Sequence, residues 1–292
     1  MTVHPPFVDR AADLREGENL RLLREDPATR TVVVREGRLR VHDGAVLRAP
    51  AGEVDDAVWA VLGRDADSSP VLLAAVPPIA DTLDAAPDET WLGLRDVGGR
   101  LNPHETELFV EAIALASWLR DAPFCPACGT LTELRQGGWA RHCPGCGRDH
   151  FPRTDPAVIV AVESVDGERL LLGANANWRG RMYSCFAGFV EAGESLEATV
   201  HRELEEEAGV QLSSIRYASS QPWPYPRSLM VGFRAVAQNE DAVRADGEEI
   251  LEVRWFTRAQ IGAALAGEGE IGLPGPASIA RALITAWYEE RA

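Results

Sequence analysis

Four residues able to do chemistry together fall within six positions of the chain: Arg202, Glu203, Glu206 and Glu207. They close a longer pattern that starts at Gly188, passes through Glu194 and ends Arg202-Glu203-Leu204-Glu205-Glu206-Glu207-Ala208-Gly209-Val210. Written out, this is G-x5-E-x7-R-E-U-x-E-E-x-G-U, where U is a bulky aliphatic residue. The pattern predicts its own helix. Ser195 is a good N-cap, Glu197 lies in the first turn where the helix dipole favours negative charge, and Gly209 suits the position just past the end. A helix over Leu196–Ala208 would make about three and a half turns. Leu196, Val200 and Leu204 recur every fourth residue and form its inward stripe. At about 100° per residue, Glu203 and Glu207 project between Leu196 and Val200, whereas Glu205 points away. Carboxylates one turn apart on the packed side of a helix repel each other and lose hydration. A hard, oxygen-loving cation between them, Mg2+ or Mn2+, would make the arrangement stable. The ordinary alternative is an acidic helix with every glutamate in solvent, and the inward placement argues against it.

A second constellation is made of sulfur. Cys125, Cys128, Cys143 and Cys146 follow C-x2-C-x14-C-x2-C, and each pair is followed by a glycine, Gly129 or Gly147. Two thiolates separated by two residues can share one metal, and the glycine tolerates the positive φ that turns backbone N–H groups toward sulfur. Four sulfurs leave no open position, so the expected ion is a structural Zn2+, one per subunit. Paired disulfides suit a secreted chain and a redox dithiol would not be duplicated. Zinc ribbons also occur in nucleic-acid binders, but Arg135, Arg141, His142, Arg148 and His150 make a thin basic patch. The fifth cysteine, Cys185, lies in an apolar stretch and reads as buried filler.

The elements that must position these groups can be placed coarsely. At 292 residues the chain suggests two units plus a small insert. The expected division is a sheet-rich domain with a linker helix over 1–120, the ribbon over 121–152 and a mixed α/β domain over 153–292. Short β-like runs at 31–34, 39–41 and 71–76 mark the first. Asn102, Pro103 and Glu105 then form a capping arrangement for a helix whose apolar side is Leu108, Ala112, Leu115, Ala116 and Leu119. Beyond the ribbon, 157–162, 169–173, 228–236 and 251–256 read as strands, Thr257 and Gln260 as a capping box, and 277–290 as a last helix.

Composition narrows the partners. A formal net charge of −16 gives no bulk attraction to polyanionic nucleic acid or an anionic membrane. A small anionic substrate remains compatible, because bound metal supplies local positive charge. Histidine aside, every basic residue is arginine; the absence of lysine excludes Schiff-base chemistry and a Walker-type lysine. No apolar run approaches bilayer length, and the opening residues lack a charged stretch followed by an apolar core, so a soluble cytoplasmic protein is expected.

The 188–210 pattern resembles the Nudix box, the metal-binding loop–helix–loop of a family that hydrolyses nucleoside diphosphates linked to another group. The resemblance implies metal-assisted attack of water on a pyrophosphate, carried by an α/β fold, the Nudix α/β/α sandwich with a mixed sheet. Ten residues past the box, Ser220-Gln221-Pro222-Trp223-Pro224-Tyr225-Pro226-Arg227-Ser228 is similar to the S-Q-P-W-P-F-P-x-S array of the NADH pyrophosphatase (NudC-like) subfamily, with Tyr225 in place of the usual Phe. Prolines at alternate positions exclude a central strand and predict a stiff extended strap. The order of N-terminal domain, ribbon, Nudix domain and strap matches this subfamily over almost the whole chain.

The likeness implies cleavage of NADH or NAD+ into nicotinamide mononucleotide and AMP, and, in some members, removal of NAD caps from RNA 5′ ends by the same site. The alternative of another class is a zinc-ribbon nucleic-acid binding module on a degenerate Nudix scaffold, which the intact glutamates oppose. Carried over residue by residue, the resemblance implies that Glu203, Glu207, Glu249 and the backbone carbonyl of Ala187 bind the catalytic metals, with Glu248 adjoining Glu249. Gln221, Pro222, Trp223, Pro224, Tyr225, Pro226, Arg227, Ser228 and Ala280 would line the substrate site. Phe189 and Phe151 would stack on a base, Phe151 coming from the other subunit of a homodimer. Glu206 and Glu207 are both candidates to take the proton of water, and the guanidinium fork of Arg202 suits orienting a box carboxylate.

Overall fold

A computed structural model describes residues 6–51, 54, 56–77, 90–97, 99–177 and 181–290; residues 1–5, part of the opening stretch considered above, lie outside them. The chain divides into two compact units, Thr2–Arg153 and Thr154–Ala292.

In the first unit, strand Arg30–Arg35 runs parallel to Pro70–Val76, which pairs antiparallel with Val58–Arg64. Val32, Val33, Val34, Leu72 and Leu73 are all buried, as expected of central strands covered on both faces. The helix Pro103–Asp121 begins as predicted, with Asn102 Oδ1 accepting from the Glu105 N–H at 2.9 Å. Glu105 does not complete a capping box. Its buried carboxylate accepts from the Val46 N–H at 2.7 Å and from the Arg48 guanidinium at 2.8 Å. Nor is the helix a linker: Leu108, Phe109, Ala112, Ile113, Leu115 and Leu119 bury nearly its whole circumference. A helix apolar all round belongs inside a core. The ribbon is a small sheet of Glu133–Arg135, Ala140–His142 and Asp149–His150. It packs on the same unit, Trp139 Nε1 donating to Val61 O at 2.6 Å.

The second unit has the α/β architecture expected of it. Its six-stranded sheet runs in the order Leu212–Trp223, Ser228–Ala237, Asp155–Glu163, Arg169–Asn175, Ile250–Thr257, with Phe186–Phe189 pairing Asp155–Glu163 off that path. Side chains alternate across each strand, so two cores form. Val158, Val160, Val162, Leu171, Val231 and Phe233 meet Val200, Leu204 and Ala208 of the helix Leu196–Ala208, hereafter the box helix. Ile159, Ala161, Leu170 and Leu172 meet Ile261, Leu283, Ile284 and Trp287 of the helices Arg258–Leu265 and Ile279–Glu289. The Thr257–Gln260 capping box is present with both reciprocal bonds.

Two strands of this second unit were not legible. Phe186–Phe189 is short, and Leu212–Trp223 is a mostly polar edge strand whose register shifts twice against Ser228–Ala237. Consequently the strap is not a free connector. Gln221, Pro222 and Trp223 end the edge strand, and Pro224, Tyr225, Pro226 and Arg227 turn the chain back into Ser228. An edge position accommodates Pro222 because its missing N–H faces no neighbouring strand.

Candidate active site

The box helix spans Leu196–Ala208, with Ser195 Oγ accepting from the Ala198 N–H and Gly209 at φ 64°. The helical phase falls where the pattern places it. Val200 and Leu204 are fully buried, Glu205 is exposed, and Glu203 and Glu207 are 9% and 4% exposed. Strand Phe186–Phe189 lies alongside, and a β-carbon on Gly188 would meet the Glu203 carboxylate at 1.9 Å. Glycine here makes room for a carboxylate, not for an unusual turn. One oxygen of Glu207, Oε2, is buried without a hydrogen-bond partner, and the Ala187 backbone hydrogen-bonds to this side chain. Burial pushes the Glu207 carboxyl up to about 8, with added repulsion from Glu203, Glu249 and Asp246. Burial likewise raises Glu203, against the opposing pull of Arg202.

Arg202 ties the loop to the helix. Its Nε and Nη2 donate to Glu194 at 2.8 and 3.0 Å, its Nη1 to Glu203 at 2.8 Å and Glu206 at 3.1 Å, and its Nη2 also to the Phe189 carbonyl at 2.9 Å. The Arg202 hydrogen bond, with the Glu191 N–H and the Thr199 hydroxyl, holds Glu194 down to about 2. Glu206 stays largely exposed, its side chain 59% accessible.

Glu249 is exposed on the loop before strand Ile250–Thr257, close enough to repel both Glu203 and Glu207. Asp246 is a residue that sequence reasoning missed, although the Asp-Gly-Glu-Glu turn was there to be read. Among the described residues, no three carboxylates bring their oxygens within 4.8 Å of one another, whereas the four cysteine sulfurs do. A divalent cation nevertheless fits the glutamates: an orphaned buried oxygen, a second inward carboxylate over a glycine cradle, and a third carboxylate on the facing loop.

The remaining site residues divide by exposure. Phe189 is 52% exposed in this unit, and Phe151 is 47% exposed in the other. Trp223 and Tyr225 pack edge to face at 5.8 Å. Pro224 and Ser228 are buried, and Arg227 pairs with Asp155 at 2.8 Å. Gln221 donates to Ala277 O at 2.8 Å and accepts from the Ile279 N–H at 2.7 Å, so its amide fastens the strap to the last helix. Ala280, one residue on, is only 5% exposed.

In the ribbon, Cys125 Sγ lies 3.7 Å from Cys146 Sγ and Cys128 Sγ 3.4 Å from Cys143 Sγ. Gly129 and Gly147 have φ of 74° and 73°, and each donates its N–H back to the first cysteine carbonyl of its knuckle at 2.8 Å. This is a closed four-thiolate site of the structural zinc type. Cys185 is buried in the sheet core, as filler should be.

Comparison with known proteins identifies the domains. Residues 153–272 match the NUDIX domain and residues 120–151 the NADH pyrophosphatase zinc ribbon domain. The chain is 41% identical over 276 residues to the NAD-capped RNA hydrolase NudC of Mycobacterium bovis, covering 91% of this chain and 85% of that protein. The Mycobacterium tuberculosis protein of the same name is matched to the same extent, 41% over 276 residues, with 91% and 85% covered. The human NAD-capped RNA hydrolase NUDT12 is 39% identical over 170 residues, covering 56% of this chain and 37% of that protein. The fold and site are thus those of a Nudix hydrolase. Within that class the chain belongs to the NudC family, whose zinc ribbon it carries.

Proposed function

We propose that the chain hydrolyses the pyrophosphate bond of NADH or NAD+ to nicotinamide mononucleotide and AMP, and removes NAD caps from RNA 5′ ends with the same site. The observation that carries this reading is the pair Glu203 and Glu207, ionisable groups turned inward with one oxygen unpartnered. The likeness to NudC along nine-tenths of the chain supports the substrate class.

In this reading Glu203, Glu207, Glu249 and the Ala187 backbone hold Mg2+ or Mn2+. Such an ion, when bound, neutralises the diphosphate and acidifies water. The protein's own groups do the rest. Arg202 fixes Glu203 and Glu206 with one nitrogen and keeps the Phe189 loop against the helix with the other. Glu206, accessible and already oriented, is free to take the water's proton while Glu207 faces the cation. Trp223, Tyr225 and Phe189 offer ring surface to the nucleotide. We further propose that the chain acts as a homodimer in the cytoplasm, with Phe151 of one protomer stacking on a base held by its partner. Among the described residues no helix is long and apolar enough to cross a membrane.

Product analysis after incubation with NADH and with NAD-capped RNA, each with Mg2+ and Mn2+, tests the reading. Glu207→Gln should abolish turnover without unfolding the chain. Full turnover by that variant would remove the metal assignment. Glu206→Gln, with a loss of about 10²-fold or more in kcat at saturating metal, would identify the base.

A further inference from the structure

We infer that Asp246 is a positioning residue that presents the Glu249 carboxylate to the catalytic cation. The inference deepens the proposed function and rests on Glu249 being one of its ligands.

An exposed glutamate on a loop samples many rotamers, and its use as a ligand requires that the backbone beneath it be fixed. Here three successive N–H groups converge on one oxygen. Asp246 Oδ1 accepts from Glu248 at 2.9 Å, Glu249 at 3.1 Å and Ile250 at 2.9 Å. Gly247, at φ 80°, closes the turn by donating to Ile250 O at 3.0 Å. The loop is docked at its other end as well. The Arg244 N–H donates at 2.9 Å to Ala208 O, a carbonyl left open at the end of the box helix. A β-carbon on Gly209 would stand 3.0 Å from Arg244 Cγ and 3.2 Å from Ala242 O, so the loop crosses the helix end closely.

From the far side, the Ala176 N–H donates to Glu249 O at 2.8 Å. Asn175 Nδ2 approaches Glu249 Oε1 at 3.4 Å, its own Oδ1 being taken by the Asn177 N–H at 2.9 Å. That second bond decides which end of the amide faces the carboxylate. Glu249 is therefore gripped before, behind and at its tip, and Asp246 alone also fixes the residues on either side, Glu248 and Ile250. Groups one layer behind a ligand tune metal affinity without touching the metal.

The test is Mn2+ binding to the full, zinc-loaded chain, read from the electron paramagnetic resonance of free Mn2+, beside the Mn2+ dependence of NADH hydrolysis. Asp246→Ala should weaken Mn2+ by about 10-fold or more and raise the Mn2+ needed for half-maximal rate, with kcat at saturating Mn2+ within about threefold. Asp246→Asn keeps the acceptor oxygen and should stay within about threefold of the parent in Mn2+ affinity. If the alanine variant does not fold, Asp246→Leu, which likewise offers no acceptor oxygen to the three N–H groups, should show the same loss. Parental affinity in the alanine or leucine variant overturns the inference. So does an asparagine variant as weak as alanine, which would mean that charge or direct ligation matters. Glu249→Gln separates the two levels: unchanged Mn2+ affinity there removes the ligand reading itself, whereas a loss there without one in Asp246→Ala removes only the positioning role.

Discussion

Gly188 and Glu203 compete for one volume: a β-carbon on the first would stand 1.9 Å from the carboxyl carbon of the second. The glycine opening the box is thus fixed by its neighbour on the helix, not by its own backbone conformation. Gly188→Ala should swing the Glu203 carboxylate out of place and lower kcat by about 10²-fold, as misplacement by about an ångström does. The melting temperature should move by only a few degrees, because the displaced group is a side-chain end. Parental turnover in this variant would show that Glu203 is not held where catalysis needs it.

The inward glutamates also predict how stability follows pH. Burial sets Glu207 at about 8 in the fold, against 4.5 for an ordinary glutamate. A raised carboxyl favours the folded state fully only below its unfolded value, and that advantage is lost as pH rises through the folded value. The Mn2+- and Mg2+-free protein should therefore melt lower at about pH 8.5 than at about pH 5, and Glu207→Gln should flatten that slope. Calorimetric scans of the pair check this. Parallel curves for the two proteins would contradict it.

Gln221 carries bonds that are structural. Its amide engages Ala277 O at 2.8 Å and the Ile279 N–H at 2.7 Å, at the start of the last helix. Gln221→Ala leaves both groups unpaired and should cost about 1–3 kcal/mol in denaturant unfolding. Trp223→Ala, which removes ring surface, should instead raise KM for NADH with little loss of stability. Equal stability losses in the two variants would dissolve the distinction.

The ribbon should bind one zinc per chain, and elemental analysis will count it. Cys143 is fully buried among the four thiols, and Trp139, in the turn just before strand Ala140–His142, bonds to Val61 O. Cys143→Ser should eliminate bound zinc and open Trp139 to a fluorescence quencher, since a structural site of this kind holds its loops together by the metal. A variant with no zinc but a parental quenching curve would mean the ribbon folds without the ion.

Features repeated within a short window were readable directly. The 196–208 helix, its buried aliphatic stripe and its inward glutamates follow from residues within two turns of one another. The cysteine knuckles follow from spacing and two glycines. Strands buried on both faces, such as Asp155–Glu163, announce themselves as unbroken apolar runs. The edge strand Leu212–Trp223 gave no such signal, because one side of it meets no other strand and its composition is polar. Glu105 looked like a capping residue because Asn102 precedes it by three positions; its carboxylate went instead to Val46 and Arg48, more than fifty residues away.

The chain's sequence alone decided the reaction-bearing helix, the sulfur site and the family, since each depends on local periodicity and residue type. Only the tertiary structure could decide that Gly188 is a cradle for Glu203, that Gln221 is a fastener and that Asp246 stands behind Glu249. Those relationships join elements distant along the chain, or depend on which way one side chain turns. Their geometry is set by which sheet faces and loop ends pack together, and no spacing rule records that.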